Sequence, residues 1–188
     1  HGHMEAVGYD LYCKMLNEAV KTLKGMKKIE DNFDTYVDMD VDAFIPPEYI
    51  VNEVQKLEIY KRIASLENAS ECDDMRKELK DRFGIIPKSV ENLIQISLIR
   101  VRAHLRYVTE IKGKMGQITF FMEPYAPVHV ERLPKLMAKY KGSLEFSAKG
   151  TPNFVLKYKK YGLIEKEAEL MMSYTNKMLA DLALLYDA

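Results

Sequence analysis

Asp74, Glu78 and Asp81 stand at i, i+4 and i+7 in the stretch ECDDMRKELKDRFGIIP. At 100° per residue their side chains fall within a sector of about 60° on a helix. Carboxylates grouped this way do electrostatic work, because they repel one another slightly and Asp81, near the helix C-terminus, meets an unfavourable dipole. Glu78 has a local partner in Arg82 at i+4, a pairing worth about 0.3–0.5 kcal/mol. Asp74 and Asp81 remain without explanation, and a partner bearing arginines would engage all three acids.

Other clusters suggest other chemistry. Asp38, Asp40 and Asp42 carry the opening spacing of a calcium loop, but a loop counted from Asp38 needs Gly at its sixth position and Glu at its twelfth, where Ala43 and Tyr49 stand. A solvated strand face that blunts a sheet edge explains the triplet, and no metal is expected. Arg100, Arg102, His104 and Arg106 crowd one segment, while Lys157, Lys159 and Lys160 interleave with Tyr158 and Tyr161. These have two readings: a nucleic-acid surface that neutralises phosphates and stacks bases, or ordinary solvated faces. The chain contains no GxxxxGK[ST] loop, GxSxG elbow, HExxH or GxGxxG, so neither a cofactor nor an enzymatic activity is expected. Cys13 and Cys72 lack CxxC spacing and read as buried free thiols.

The elements that must position these residues follow from periodicity. Residues 9–24 carry Leu11, Met15, Leu16, Ala19, Val20 and Leu23 at helical spacing, with Gly25 as a stop. Strict alternation over residues 36–45 predicts a half-buried strand ended by Pro46 and Pro47. A helix is predicted from about Asn52 to Leu66 with Val54, Leu57, Tyr60, Ile63 and Ala64 inward. The acidic helix follows, with Ser70 as N-cap, Asp73 reaching back, Met75, Leu79 and Phe83 inward, and Gly84 then Pro87 as the stop. A longer helix runs from Ser89 to about Tyr107, with Val90, Leu93, Ile94, Leu98, Val101 and Leu105 inward. Beyond it the pattern gives a hairpin over 108–122 turning near GKMG, a short helix in HVERLPKLMAKY, a second hairpin through KGTPN, and a closing helix from about Leu163 to Tyr186. Helices first and hairpins with helices afterwards predict an α+β fold, preceded by an amphipathic linker helix.

At 188 residues, 47% hydrophobic and 30% charged, the composition is that of an ordinary globular protein. No segment predicts a membrane span or a signal peptide, so a cytoplasmic location is expected. The zero net charge conceals a gradient. Residues 1–98 hold 13 Lys and Arg against 19 Asp and Glu, residues 99–166 hold 14 against 5, and residues 167–188 hold 1 against 4. Such asymmetry suits a nucleic-acid surface or a partner of complementary charge.

VGYDLYCKML, DAFIPPEYI, LEIYKRIASL, ELKDRFGIIP and VENLIQISLIRVRAHL, in that order and spacing, resemble the carboxy-terminal region of the bacterial transcription-repair coupling factors. The resemblance is close from about residue 8 to 106, and beyond that only the order of elements agrees. It implies that residues 5–28 are the tail of the translocation motif with a linker helix, and that 34–188 form the C-terminal regulatory domain. It also implies a parent protein with a UvrB-like module, a polymerase-binding domain and a DNA-translocating ATPase, whose motor motifs this chain lacks. In the family the last domain resembles a clasp, docking on the UvrB-like module of the same protein and hiding the surface that recruits UvrA. The implied partners are therefore that module directly, UvrA, RNA polymerase and DNA through the parent protein, and no membrane. The acids of the ELxDRFG motif, which meet arginines of the module in the family, fall here at Glu78 and Asp81. Asp74 joins them by helix geometry alone.

Overall fold

The computed structural model describes residues 33–188. The predicted helix over 9–24, and the 5–28 segment that contains it, lie outside the described residues. The rest forms two compact units, one holding residues 41–101 and the other residues 35–40 with 102–188. Helices and a mixed five-stranded sheet make the fold α+β. Among the described residues no helix is long and apolar enough to cross a membrane.

In the first unit, helix α1 (Glu53–Ala64) is capped by Asn52, whose side chain accepts from the Gln55 N–H at 3.0 Å. Its buried stripe is Ile59, Tyr60, Ile63 and Ala64. Val54 and Leu57, expected inward, are 75% and 40% exposed, because the stripe begins one turn later than the apolar periodicity does. Helix α2 (Ala69–Phe83) buries Cys72, Met75 and Leu79. Its N-cap is Asn68 rather than Ser70: Asn68 accepts from the Glu71 N–H at 2.9 Å, and the Glu71 carboxylate reaches back to the Glu67 N–H at 2.6 Å. The Asn68 side chain is as good a cap as serine, and it stands where the chain is still extended. Asp73 is thereby released to pair with Arg76 at 2.9 Å. Gly84, at φ +90°, ends the helix in a conformation that favours glycine.

Helix α3 (Lys88–Leu105) starts in this unit and continues past Val101 into the other. It is buried nearly all round from Val90 to Arg100, as a helix inside a core must be, whereas Leu105 is 65% exposed. Polar bonds fix the unit's register. Ser97 Oγ donates to the Ile63 carbonyl at 2.7 Å, Asn92 Nδ2 to the Asp42 carbonyl at 2.8 Å, and the Ile45 N–H to the buried Tyr60 hydroxyl at 2.8 Å.

The second unit is built on one sheet of order β1-β2-β3-β5-β4. Its strands are β1 (Tyr36–Met39), β2 (Val108–Lys114), β3 (Gln117–Met122), β4 (Leu144–Ser147) and β5 (Asn153–Lys157). Strand β1 runs parallel to β2 and every other pairing is antiparallel. The alternation predicted over 36–45 therefore ends as a strand at Met39. The Asp40 N–H makes a last bond to the Gly113 carbonyl at 2.8 Å, and Ala43 and Ile45 are buried in the first unit instead. Both predicted hairpins form, and β5 joins them by pairing with β3. Pro134 is tolerated because it lies in the first turn of α4 (Leu133–Lys139), where no N–H is needed. Helix α5 (Ile164–Asp181) buries Met171, Met172, Thr175, Met178 and Leu179.

At Gly113 on β2 helix and sheet approach closely. A Cβ there would stand 2.7 Å from Met171 Sδ and 3.1 Å from Met39 Cγ, and both methionines are fully buried. Gly113→Ala is expected to cost about 1–3 kcal/mol through overpacking. Urea unfolding measures the loss, and adding Met171→Ala should restore part of it.

Candidate docking face on the acidic helix

The face of α2 does not present three equivalent acids. Glu78 is held by two guanidiniums: Arg62 of α1 clamps it through both carboxylate oxygens, with Arg62 Nη2 donating to Glu78 Oε1 at 2.8 Å, and Arg82 Nη1 donates to Oε2 at 3.0 Å. The Arg82 pairing is the one the i+4 spacing predicts; the Arg62 clamp is additional. These hydrogen bonds, Arg62 first, hold the Glu78 carboxyl well below the usual carboxylate range, at about 2. The carboxylate in turn pushes the Arg62 guanidinium above its ordinary value. The three side chains remain 34–40% exposed, so the bridge sits at the surface and orients more than it stabilises.

Around the bridge the helix end is packed against its neighbours. The Arg82 guanidinium lies 4.9 Å from the centre of the Phe83 ring, and Tyr49 packs on Phe83 at 5.8 Å. The Tyr49 hydroxyl stands 3.2 Å from the Leu79 carbonyl and 3.0 Å from that of Gly84, at the C-terminus of α2. A second bridge fixes the opposite side of α2: Arg76 reaches Glu91 of α3 at 2.7 Å and Asp73 at 2.9 Å.

Asp74 and Asp81, one on either side of Glu78, are exposed and make no ion pair among the described residues. Asp74 also borders an open groove of about 430 Å³, between the end of α1, where Lys61, Arg62 and Leu66 line it, and α2, where Glu71, Met75 and Glu78 do. The free negative charge of the face thus resides at Asp74 and Asp81. Glu78 is a bridged carboxylate whose guanidiniums are released when it is lost.

The basic residues are placed differently from one another. Arg100 is buried, at 6% exposure. Arg102 donates to Asn176 Oδ1 at 2.9 Å and Arg106 to the Leu179 carbonyl at 3.1 Å, so both are bonded to α5. Arg100 is thus withdrawn from solvent, whereas Arg102 is exposed. Lys157, Lys159 and Lys160 are exposed, and Lys157 reaches Glu145 at 3.6 Å. Among the described residues no group of three or more His, Cys, Asp or Glu side chains is arranged to hold a metal ion.

Sequence reasoning missed Arg62, Tyr49 and the Arg76–Glu91 bridge. Periodicity names the faces of each helix but not which face of α1 meets α2; the surplus of acid over base on α2 was the available signal that a base would arrive from elsewhere.

Glu78 carries a pH dependence with a definite sign. Its folded value, about 2, lies below the ordinary value of 4.5, so the bridge contributes fully above about pH 4.5 and its contribution is lost as the pH falls through about 2. Glu78→Gln should therefore flatten the acid limb of the stability curve between those limits, by no more than about 1 kcal/mol given the exposure. Urea unfolding at stepped pH measures it; parallel acid limbs would show that the bridge contributes nothing.

A family model described as the TRCF domain matches residues 39–133. The transcription-repair-coupling factor of Staphylococcus haemolyticus is 41% identical over 119 residues, covering 63% of this chain and 10% of that protein. The corresponding protein of Bacillus subtilis is 35% identical over 142 residues, covering 74% of this chain and 12% of that protein. The chain thus spans about a tenth of the length of these relatives. A crystal structure of the C-terminal domain of a transcription-repair coupling factor superposes with a TM-score of 0.63 at 22% identity, covering 80% of this chain and 94% of that one, and shares its fold. With the family model covering half of its residues, the chain belongs to the TRCF domain family and is a domain of a transcription-repair coupling factor.

Proposed function

We propose that this domain is a non-catalytic regulatory module, docking through the α2 face on the UvrB-like module of its parent protein and masking the surface that recruits UvrA in transcription-coupled nucleotide excision repair. The observation that carries the reading is the pair of exposed carboxylates without ion pairs, Asp74 and Asp81, flanking a Glu78 whose position is set by Arg62 and Arg82. The two free acids attract incoming arginines, and the bridged one fixes their spacing. Residues 34–188 would constitute the regulatory domain and residues 5–28 its link to the motor, with RNA polymerase and DNA engaged by other parts of the parent protein.

The energetics of such a clasp are modest. Holding the closed form at about 99:1 requires a bias of about 2.7 kcal/mol. If tethering supplies an effective concentration near 1 mM, an intrinsic dissociation constant of about 10 μM suffices. Ion pairs suit this role because a small rigid-body displacement loses most of their strength, and closing and UvrA binding must oppose each other reciprocally.

The bridge dictates which substitution tests the clasp. Glu78→Ala removes one carboxylate but also frees two guanidiniums, so its effect mixes docking with local rearrangement; Asp81→Asn touches docking alone. In the full-length protein, Asp81→Asn should raise UvrA affinity several-fold, and Glu78→Ala with Asp81→Ala further, towards a ceiling of about 100-fold set by complete opening. Equal UvrA affinities for wild type and both variants would remove these acids from the mechanism.

A further inference from the structure

Strand register gathers lysines that the sequence scatters. Lys112 and Lys114 lie two residues apart on β2, on the sheet face away from buried Ile111 and Gly113. Lys114 pairs with Gln117 of β3, and Gln117 with Lys157 of β5. The chain then turns back: the Tyr158 N–H donates to the Gly116 carbonyl at 3.0 Å, and a Cβ on Gly116 would stand 3.2 Å from Lys160 Cγ. Lys160 therefore lies against the β2–β3 turn, which follows Lys114 at the end of β2, and Lys159 precedes it in the same loop.

Two of these cations have acidic neighbours, Glu110 at 3.8 Å from Lys112 and Glu145 at 3.6 Å from Lys157, both in exposed pairs of little strength. Lys114, Lys159 and Lys160 are exposed and make no ion pair among the described residues. At about 3.4 Å per residue along a strand and about 4.8 Å between strands, Lys112 and Lys114 are about 7 Å apart, and Lys114 and Lys157 about 10 Å.

Aromatic rings accompany the cations. Tyr161, beside Lys160, is 62% exposed, and Phe121 lies on the same sheet face with the Lys112 ammonium 5.6 Å from its ring centre. A ring exposed among lysines stacks on an unpaired base, a surface that duplex DNA keeps inside its stack. An acidic polypeptide would satisfy the lysines but leave Tyr161 without use.

We propose that this end of the sheet binds single-stranded nucleic acid, with Lys114, Lys159 and Lys160 neutralising the phosphodiester backbone and Tyr161 stacking on a base. The site is separate in kind from the acidic docking face and takes a ligand of opposite charge.

The test is fluorescence anisotropy of the chain with a labelled oligothymidylate of about 20 nucleotides, longer than one ~4–16-nucleotide site, and with a duplex of equal length, from about 25 to 200 mM salt. Saturable binding is expected, tighter for the single strand and falling steeply with salt. Lys114→Ala with Lys159→Ala and Lys160→Ala should weaken it at least about tenfold at low salt and make the logarithmic salt slope shallower by about 2, at ~0.7 per phosphate contact. Tyr161→Ala should weaken single-strand binding about tenfold and leave duplex binding unchanged. All four side chains are exposed, so the variants should keep the wild-type urea midpoint. No saturable binding at low salt, an unchanged slope in the triple variant, tighter binding of the duplex, or equal competition by polyglutamate would overturn the proposal.

Discussion

The bridge from Arg62 through Glu78 to Arg82 fixes what the acidic helix can offer a partner. It joins α1 to α2 across the groove and sets the side chains at the α2 surface in one arrangement. Because the central carboxylate is already matched by two guanidiniums, the middle of the face offers no free negative charge, whereas its flanks do. A partner arginine arriving there would find Asp74 and Asp81 outside any ion pair among the described residues, whereas to reach Glu78 it would have to displace Arg62 or share the carboxylate with it. Attraction and placement are thus assigned to different residues of one helix.

Much of this architecture is legible in the sequence, for identifiable reasons. Helix α2 is readable because Met75 and Leu79 recur at helical spacing and Gly84 stops the chain, and both hairpins are readable because GKMG and KGTPN are strong turn signals. What is not legible is whatever depends on a distant strand or helix. The alternation of residues 36–45 looks like one strand, yet only Tyr36–Met39 find a partner, in a parallel pairing with β2 that no local signal announces. Val54 and Leu57 continue an apolar period past the point where α1 has anything to pack against.

The candidate site divides the same way. Helical geometry places Asp74, Glu78 and Asp81 on one side of α2, and spacing alone provides the Arg82 contact. Spacing cannot provide Arg62, which belongs to another helix, and so it gives Glu78 one basic partner where the structure gives it two. Local pattern also groups Arg100, Arg102 and Arg106 without showing that Arg100 is buried or that the other two hydrogen-bond to α5. Strand register, by contrast, sets the exposed Lys112, Lys114 and Lys157 close together at one end of the sheet. The charge gradient along the chain therefore corresponds to two surfaces of opposite sign, carboxylates on α2 in one unit and ammonium groups at the end of the sheet in the other.

The central claim is that exposed carboxylates on α2 bind a cationic surface of the parent protein weakly and reversibly. Calorimetric titration of this chain against the isolated UvrB-like module, at low and at raised salt, tests it most directly. The account predicts a dissociation constant of about 10 μM that weakens as salt screens the pairs. Binding of equal strength at both salt concentrations, or none at concentrations well above that value, would contradict it.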